Sequence, residues 1–412
     1  MCRGIRTGSG ACRWTTSSSP CFPPPCSGRL IAGHGCRIAR NTMKLLILHA
    51  SAGNGHRRAA EALAAAALAQ QHTVVVRDVL DFVPALFRKT YAAGYLNLVR
   101  SAPELWGYFF AQTNRKAQRP TERRVRTVFN KLNALSFYRF LRDEQPDAAL
   151  CTHFLPLELI GSLPPHHRHN LPLFGVVTDY AAHALWYCDS VNAYYVATEE
   201  ARRQLRRKGQ PATGLVNTGI PVMPEFATRV TPAAGRARLG LRVDLPAVLV
   251  LSGGYGVGPT LELLRACAVE PPPCQLLVVA GNNPQLEETA QQVIAGSALT
   301  ATVYGFVSNV HELMDAADLV ISKPGGLSTA EALAKGRPMM IVEPIPGQEQ
   351  RNAEWLLENG AAIRLHEAVD TAWKLGTLLA DPARLTALAE HAAQLGRPRA
   401  AMEILADMAN RV

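Results

Sequence analysis

Residues 322–332 read SKPGGLSTAEA, and they follow the apolar run DLVIS at 318–322. The run has the length and composition of a buried β-strand, and Pro324 with two glycines ends it before a helical pattern begins. Gly325 and Gly326 let backbone amides approach a ligand closely, and the free amides at a helix start favour an anion. The stretch therefore predicts a strand–loop–helix unit that holds an anionic group at the carboxyl end of a strand.

A similar turn follows the first apolar run of the folded part of the chain. The segment HASAGNGHRRAAEAL at 49–63 contains Gly53, Asn54 and Gly55, which suit a tight turn. His56 then falls at the start of the helix, where the positive end of the helix dipole favours an anion. Taken alone, the segment is equally consistent with a structural turn whose histidine caps the helix or faces solvent, but its place at a strand end favours a function.

A third turn of this kind lies in the second half of the chain. The segment LVLSGGYGVGPTLELL at 249–264 contains Gly253, Gly254 and Gly256, and such a loop can donate several amides to phosphate oxygens. It differs from the dinucleotide fingerprint, because no acidic residue follows a second strand at the expected place. Each turn alone could be structural, but three of them at strand ends favour a phosphate or sugar ligand.

Polar side chains follow the opening stretch. Ser328 and Thr329 are placed to cap the helix, and Glu331 lies one turn in, where its carboxylate could accept both hydroxyls of a ribose. The segment EPIPGQEQRNAEWL at 343–356 adds amide and carboxylate groups, which suit sugar hydroxyls. A polar loop with a helix cap is the alternative interpretation. The polar residues of this segment are Gln348, Glu349 and Asn352.

Short apolar runs alternate with helical or loop segments along the whole chain, which predicts a doubly wound α/β arrangement in each half. Ligands of such sheets bind at the carboxyl ends of the strands, so two facing halves predict a site in the cleft between them. A segment rich in Pro, Gly and small residues, 218–241, separates the halves. The runs lie at 44–50, 73–79, 147–151, 172–178 and 193–197, and then at 247–252, 275–280, 300–304, 318–322 and 338–343.

Composition and charge bound the remaining choices. The chain of 412 residues fits two globular domains, and its net charge of +10 is unevenly distributed. Residues 1–42 contain arginines, no acidic residue and most of the cysteines, so they are interpreted as a disordered or non-native extension before a start at Met43. The cysteines beyond it have no metal-ligand spacing, which favours a reducing cytoplasm. No apolar run is long enough to span a bilayer.

Residues 115–142 form a basic patch, with nine Lys or Arg and one Glu interleaved with apolar and aromatic residues. This mixture suits the surface of an anionic membrane, so the patch predicts peripheral attachment at the inner face of the cell membrane. A solvated pair of amphipathic helices is the alternative. Nucleic acid is not expected as a partner, because no recognised binding motif accompanies the charge.

Three segments together resemble one known group of glycosyltransferases. The segment SKPGGLSTAEALAKGRPMMIVEPIPGQEQRNAEWL resembles the nucleotide-sugar motif of the monogalactosyldiacylglycerol synthases and processive diacylglycerol glucosyltransferases, which belong to glycosyltransferase family 28. The turn at 49–63 resembles the amino-terminal loop of the diacylglycerol branch. The block VVTDYAAHALWYCDSVNAYYVATEEAR at 176–202 resembles its middle motif.

The resemblance implies a GT-B fold, with two Rossmann-like doubly wound domains facing across a cleft. It also implies an inverting transfer of a hexose from a UDP-sugar to diacylglycerol, with no obligatory metal and no cofactor. The expected boundaries are an extension at 1–42, an acceptor and membrane-binding domain at 43–218, a hinge region at 219–241, a UDP-sugar-binding domain at 242–395, and a helix at 396–412 that crosses back to the first domain.

Site residues follow from the resemblance position by position. His56 would act as general base or orienting group, Asp179 is the second candidate for the base, and the choice between them stays open. The expected acceptor-binding residues are Gly53, Asn54, Gly55, His183 and Trp186. The expected donor-binding residues are Gly253, Gly254 and Gly256 at the diphosphate, Phe306 and Val307 at the uracil, Lys323, Gly325, Gly326, Ser328 and Thr329 around the pocket, Glu331 at the ribose, and Gln348, Glu349 and Asn352 at the sugar.

Two other functions remain as alternatives at this point. One is the same fold acting as a UDP-GlcNAc transferase on the peptidoglycan lipid intermediate, against which the TDY…H…W block argues. The other is a non-catalytic nucleotide-sugar-binding protein, against which the retained His56, Asp179, Glu331 and Gln348 argue. The donor sugar, the processivity and the oligomeric state do not follow from the sequence.

Overall fold

The computed structural model describes residues 42–51, 53–82, 107, 108, 112, 114, 136–168, 170–254, 256 and 258–412. The expectations for the amino-terminal extension and for most of the basic patch, residues 115–135, lie outside the described residues. Within the described part, residues from Thr42 to Val412 belong to one compact unit.

The first half of this unit is a parallel six-stranded sheet in the order β2-β1-β3-β4-β5-β6. Its central strands are aliphatic or aromatic and buried on both faces, as expected for a parallel sheet covered by helices. The strands are β1 (Lys44–His49), β2 (Thr73–Asp78), β3 (Ala148–Cys151), β4 (Leu173–Val176), β5 (Ala193–Val196) and β6 (Leu215–Asn217).

The second half repeats the arrangement with a different strand order, β12-β11-β10-β7-β8-β9, and all pairs are again parallel. The predicted doubly wound arrangement is therefore confirmed in both halves. The strands are β7 (Ala247–Leu251), β8 (Gln275–Val279), β9 (Ala301–Tyr304), β10 (Leu319–Ser322), β11 (Met339–Ile341) and β12 (Ala362–Arg364).

Helices cover both faces of each sheet. The α-helices are α1 (Asn54–Ala69), α2 (Phe154–Ser162), α3 (Pro165–Arg168), α4 (Glu199–Arg207), α5 (Pro232–Arg238), α6 (Thr260–Val269), α7 (Pro284–Ala295), α8 (Val310–Ala316), α9 (Gly326–Ala334), α10 (Gln348–Glu358), α11 (Thr371–Leu379), α12 (Pro382–Leu395) and α13 (Ala400–Ala409). Residues 136–144 are also helical. Short 3₁₀ helices lie at Val79–Phe82, Ala184–Trp186, Ala212–Gly214, Pro224–Ala227 and Ala368–Asp370.

The helical residues 136–144 contain the described end of the predicted basic patch, and they correct part of that prediction. Phe137 and Leu141 are buried in the core beneath the first sheet, so these two apolar side chains are not available to a membrane. Aromatic neighbours Phe82 and Phe140 pack around Phe137. The composition of the patch did not distinguish core residues from surface residues, because both are apolar at helical spacing.

The last helix, α13, packs against the first sheet although it follows the second sheet in the chain. Its Ile404 and Met408 belong to the same buried cluster as Leu45 and Ile47 of β1. The position is also held by polar contacts: Tyr195 of β5 donates a hydrogen bond through its hydroxyl to Asp407, at 3.0 Å. The chain therefore passes between the two halves twice.

The linker between the halves is fastened to the second half by basic side chains, of which Lys335 and Arg337 are buried. Lys335, at the end of α9, donates to the carbonyl oxygen of Glu225 at 3.0 Å and pairs with Asp315 at 2.9 Å. Arg337 donates to the carbonyl of Val230 at 2.9 Å, and Arg229 of the linker donates to Ala334 O at 2.7 Å. Residues 225–230 are thus attached to the end of the helix that begins at the predicted anion-binding loop.

The two passages of the chain between the halves lie side by side. Gly219 on the outward passage has a positive φ of 92°, and a Cβ there would lie 2.5 Å from Cβ of Arg397 on the return passage. Only glycine satisfies both the backbone conformation and the contact. The passages therefore lie against each other at Gly219 and Arg397, and Arg229 of the linker also donates to the carbonyl oxygen of Ala393 at 3.1 Å, just before the return passage.

Candidate active site

The predicted loops lie at the topological switch point of each sheet. In the second sheet, β7 and β10 are neighbours whose connections leave in opposite directions, and the loops after them contain Gly253–Gly254 and Gly325–Gly326. In the first sheet the corresponding neighbours are β1 and β3, and His56 follows the loop after β1. Strand ends at a switch point diverge and leave a crevice, which is where doubly wound sheets bind ligands.

The two crevices face each other in close contact. A Cβ at Gly254 would overlap Nδ2 of Asn54, and a Cβ at Gly326 would overlap the carbonyl oxygen of Thr178. A Cβ at Gly55 would lie 3.8 Å from Cβ of Leu327. Gly254 and Gly326 of the second half are therefore required for close approach across the cleft. Asn54, expected at the acceptor, lies against the glycine loop of the second half.

His56 is anchored at the first switch point through its Nδ1 atom. This atom lies 2.8 Å from the carbonyl oxygen of Thr152 and 2.8 Å from Oγ1 of Thr178. A carbonyl oxygen can only accept, so Nδ1 carries the hydrogen and Nε2 keeps its lone pair. Burial lowers the pKa of His56 to about 4, with the Thr152 carbonyl acting in the opposite direction. At neutral pH the ring is therefore uncharged and can accept a proton at Nε2.

Two further histidines surround His56, and sequence analysis did not single them out. His153 packs edge-on against the His56 ring, with 4.6 Å between the ring centroids, and its Nδ1 accepts from Leu155 N to cap α2. His49 is buried at the end of β1, and its Nδ1 has no partner among the described residues. Burial lowers the pKa of both, so the group stays uncharged at neutral pH.

Asp179 lies next to Thr178 and faces the second half. Burial raises its pKa to about 6, and a hydrogen bond at 3.2 Å from Nδ2 of Asn352 to Oδ1 acts in the opposite direction. Gly326 of the donor loop lies on the same side, since a Cβ there would be 3.2 Å from Oδ1 of Asp179. Both candidates for the base are therefore held at one corner of the cleft, with Thr178 between them.

Asn352 differs from its predicted role at the donor sugar. Its side chain is 0% exposed, and both amide atoms are engaged by the protein. Oδ1 accepts from Tyr180 N at 2.9 Å, while Nδ2 donates to Asp179 and to the carbonyl oxygen of Pro324, the latter at 3.0 Å. The amide therefore joins the halves instead of facing a sugar, because α10 turns this side chain toward the first sheet.

Glu331 is the buried carboxylate of the donor side. It lies on α9, the helix that begins at the switch-point loop, and it is 8% exposed. Burial raises its pKa to about 7, and the positive charge of Arg58 on α1 acts in the opposite direction. Arg58, which sequence analysis missed, thus faces Glu331 from the other half of the chain.

Glu349 and Lys323 form the polar wall beside this loop. Oε2 of Glu349 accepts from Ile345 N at 2.9 Å, and burial raises the pKa of its carboxyl, against the charge of Lys323. Lys323 Nζ lies 3.7 Å from the carboxylate of Glu343, a residue with the unusual φ of 34°. Gln348 is the first residue of α10, at the same end of the helix. A positive φ in a non-glycine residue stores strain, which is common at ligand sites.

Two predicted acceptor residues have structural roles. Trp186 is 3% exposed in the core of the first half, and its carbonyl accepts from the hydroxyl of Tyr194 at 2.6 Å. The ring packs in this core, and its contact with an acceptor stays a prediction. His183 accepts from Leu185 N at 3.1 Å and caps a 3₁₀ helix, although it also lines a cavity of about 350 Å³.

The predicted capping of α9 is also corrected. The helix begins at Gly326 with Gly325 as its cap residue, and no side chain of the described part of the chain caps it. Ser328 and Thr329 lie inside the first turn, and the buried hydroxyl of Thr329 has no partner among the described residues. The first amides of α9 are therefore not taken by a side chain, which suits the anion that the loop predicts.

The remaining predicted donor residues lie at the ends of β7 and β9. Gly253 has a φ of 73°, while Gly256 is packed against Asn283, whose side chain donates to the Gly256 carbonyl at 3.0 Å. Phe306 is 66% exposed and Val307 is half-buried against the core of the second half. An exposed aromatic ring at a strand end is available for stacking on a base.

The described residues contain no group of three or more His, Cys, Asp or Glu side chains placed to hold a metal ion. Among the same residues, every helix is too short or too polar to cross a bilayer.

Comparisons with known proteins give the same relationship as the sequence motifs. The family model of monogalactosyldiacylglycerol (MGDG) synthase matches residues 56–222, and that of the glycosyltransferase family 28 C-terminal domain matches residues 257–404. The chain is 27% identical to the processive diacylglycerol beta-glucosyltransferases of Bacillus mycoides and Bacillus cytotoxicus, over 371 and 375 residues. Each match covers 88% of this chain and 92% of the relative. The resemblance stated from the motifs is confirmed.

Solved structures show the same fold. MurG from Acinetobacter baumannii superposes with a TM-score of 0.58 at 16% identity, covering 90% of this chain and 100% of that one. The UDP-GlcNAc 2-epimerase from Neisseria meningitidis, bound to UDP-GlcNAc, gives a TM-score of 0.56 at 14% identity, covering 89% and 99%. Together with the two parallel sheets facing across a cleft, these likenesses confirm the predicted GT-B fold.

Proposed function

Because the chain carries the MGDG synthase domain followed by the family 28 C-terminal domain, we propose that it is an inverting glycosyltransferase that moves a hexose from a UDP-sugar to diacylglycerol and so makes a membrane glycolipid. The observation that carries the proposal is the contact between the two switch-point crevices. The first half supplies His56 and Asp179, and the second half supplies uncapped amides and the buried carboxylate of Glu331.

The second half suits the UDP part of the donor. The first amides of α9 and the loop at Gly253 and Gly254 would bind the diphosphate, and Lys323 adds a positive charge beside them. Glu331 would accept the two ribose hydroxyls, and Phe306 would contact the uracil. These groups stabilise the negative charge that develops on the leaving UDP, and the reaction is proposed to need no metal ion.

The first half suits the attacking hydroxyl. The hydroxyl oxygen of diacylglycerol forms a bond to the anomeric carbon as the bond from that carbon to the diphosphate oxygen breaks, and the hydroxyl proton passes to a base. Nε2 of His56 and the carboxylate of Asp179 are both unprotonated at neutral pH, and both lie at the corner of the cleft. The single displacement inverts the anomeric centre.

The names of the curated relatives favour glucose as the sugar. A beta-glucosyl product made from a UDP-sugar, whose anomeric bond is α, also requires inversion. The side chains of Gln348 and Glu349 would contact the hydroxyls that distinguish glucose from galactose. Transfer of GlcNAc to the peptidoglycan lipid intermediate has weaker support, because the likeness to MurG at 16% identity shows the fold alone.

The acceptor is proposed to be reached from the inner face of the cell membrane, to which the protein binds peripherally through the basic patch at 115–142. The support is the charge of the patch, with nine basic residues and one acidic residue. Phe137 and Leu141 are excluded from the membrane contact, since both are core residues.

The test is product formation by the full-length chain with diacylglycerol in anionic vesicles and with labelled UDP-glucose or UDP-galactose in parallel. Labelled glycolipid with UDP-glucose supports the proposal, and substituting His56 or Asp179 by Ala should lower the rate at least 100-fold. His391→Ala, a change at an exposed histidine, is the matched control and should leave the rate unchanged. UDP binding without any glycolipid product from either donor would contradict the proposal and favour a nucleotide-sugar-binding protein.

A further inference from the structure

Helix α10 presents a row of side chains to the first half of the chain. Asn352 and Trp355 are three residues apart, so they lie on one face of the helix, and Glu349 lies one turn before them. Trp355 stacks on Tyr180, with 4.4 Å between the ring centroids and 28° between the planes. The face therefore contacts the segment that contains Asp179, and it belongs to the same helix whose first residues border the donor pocket.

Asn352 makes polar contacts across the cleft from a buried position. Its side chain is fully buried, and it bonds to Tyr180 N, Asp179 Oδ1 and Pro324 O, which are two groups of the first half and one of the donor loop. An asparagine amide has one acceptor oxygen and two donor hydrogens, and each of them is used. Separation of the halves would therefore break the two hydrogen bonds to the first half and leave their groups to be hydrated again, whereas a substitution would leave all three partners unpaired in the closed form.

We propose that Asn352 is a positioning residue that couples closure of the cleft to the placement of the Asp179 carboxylate beside the donor loop. This inference rests on the proposed transferase function for its catalytic consequence, but the contact itself does not depend on that function. In the closed form Asn352 orients Oδ1 of Asp179, and the second carboxylate oxygen remains for the acceptor hydroxyl. In an open form Asp179 loses this donor and moves away from the sugar.

The pH dependence of the rate depends on the charged and titratable groups around Asp179. Glu349 approaches it from α10, Tyr180 adjoins it in sequence, and His56 lies behind Thr178 on the first half. The amide of Asn352 is uncharged, so it acts on Asp179 as a hydrogen-bond donor to the ionised form. A substitution that removes this donor will move the acid limb of the rate profile, which a purely structural contact would not do.

The first experiment compares Asn352→Ala with Asn359→Ala, a matched change at the exposed residue that follows the same helix, where Nδ2 donates to Trp355 O. We expect kcat for N352A to fall at least tenfold while the Kd for UDP changes less than threefold, and we expect N359A to match the wild type. Hydrogen exchange provides a readout besides activity. In N352A the amides at Tyr180 and in the first turn of α9 exchange faster, whereas Ala182 N, which is bonded to Gln204, keeps its rate.

The second variant, Asn352→Asp, keeps the hydrogen-bond acceptor of this side chain and removes the donor. Its oxygen still accepts from Tyr180 N, but the donor to Asp179 is replaced by a carboxylate about 3 Å away, so the acid limb of kcat moves up by at least about one pH unit. Wild-type kcat and exchange in N352A, or an unmoved limb in N352D, would overturn the inference. If the wild type transfers no sugar, the proposed function fails, and exchange at the first turn of α9 alone then decides whether Asn352 holds the cleft closed.

Discussion

Replacing Glu331 by Gln should weaken nucleoside binding and stabilise the protein at the same time. The wild-type carboxyl has its pKa raised from 4.5 to about 7 by burial, so the folded protein holds a proton that the unfolded chain has lost between these values. A raised pKa in an acid means that the folded state loses stability as pH rises from about 4.5 through 7. The shift of about 2.5 units corresponds to about 3 kcal/mol, an upper bound that is reached above pH 8.

Nucleoside binding should instead become tighter as the pH rises, because only the ionised carboxylate accepts two ribose hydroxyls. Uridine is the clean probe, since it has the ribose and the base without a titrating phosphate. With a free-protein pKa of about 7, the Kd of the wild type should fall about tenfold between pH 6 and pH 8. Glu331→Gln should bind roughly 100-fold more weakly, from the loss of about two charge-assisted hydrogen bonds, and its Kd should not vary with pH.

The assay pairs calorimetric titration with uridine and urea denaturation at pH 6 and pH 8. Glu358→Gln, at an exposed position on α10, is the control and should change neither quantity. The reasoning is refuted if the Glu331 variant binds uridine as tightly as the wild type, with the same pH dependence. Weaker binding without any gain of stability at pH 8 would show instead that the buried carboxylate is compensated by a contact other than that of Arg58.

Three further outcomes follow from the site and the core. The acid limb of kcat/KM should lie near pH 6 and vanish in Asp179→Asn. A limb near pH 4 that persists in Asp179→Asn and disappears in His56→Ala would instead assign the proton transfer to His56. Gly326→Ala should lower the affinity for UDP-sugar at least tenfold in equilibrium binding, because its Cβ overlaps Thr178 O, and unchanged affinity would contradict the close approach. Trp186→Ala should lower the free energy of unfolding in urea by about 3–5 kcal/mol, whereas an acceptor-binding tryptophan would mainly raise KM.

Local sequence patterns predicted most of the fold because each buried parallel strand is a short apolar run. The strands that sequence analysis missed, β6 (Leu215–Asn217) and β12 (Ala362–Arg364), contain three residues each and end in a polar side chain. Such a run is too short to show a period. Their position is determined by pairing with β5 and β11, which is a tertiary property.

The sequence predicted the parts of the site that depend on backbone conformation, but it did not predict the parts that depend on tertiary packing. Glycines at strand ends located the loops, because close approach requires them at Gly254 and Gly326. Thr178 and Arg58 were missed, since their partners lie far away in the sequence and nothing local distinguishes them. Asn352 was predicted to contact the sugar because an amide suits a sugar hydroxyl. An amide suits a backbone group equally well, and the sequence does not distinguish the two.

The contact between the two passages of the chain determines how the halves can move. The outward passage at Gly219 touches the return passage at Arg397, and residues 225–230 are fastened to the second half, so the freely bending part is shorter than the predicted hinge region. Two bodies joined by adjacent passages can rotate about that region but cannot slide past each other. We therefore expect the cleft to open by rotation about an axis near this contact, with the displacement of any cleft residue proportional to its distance from that axis.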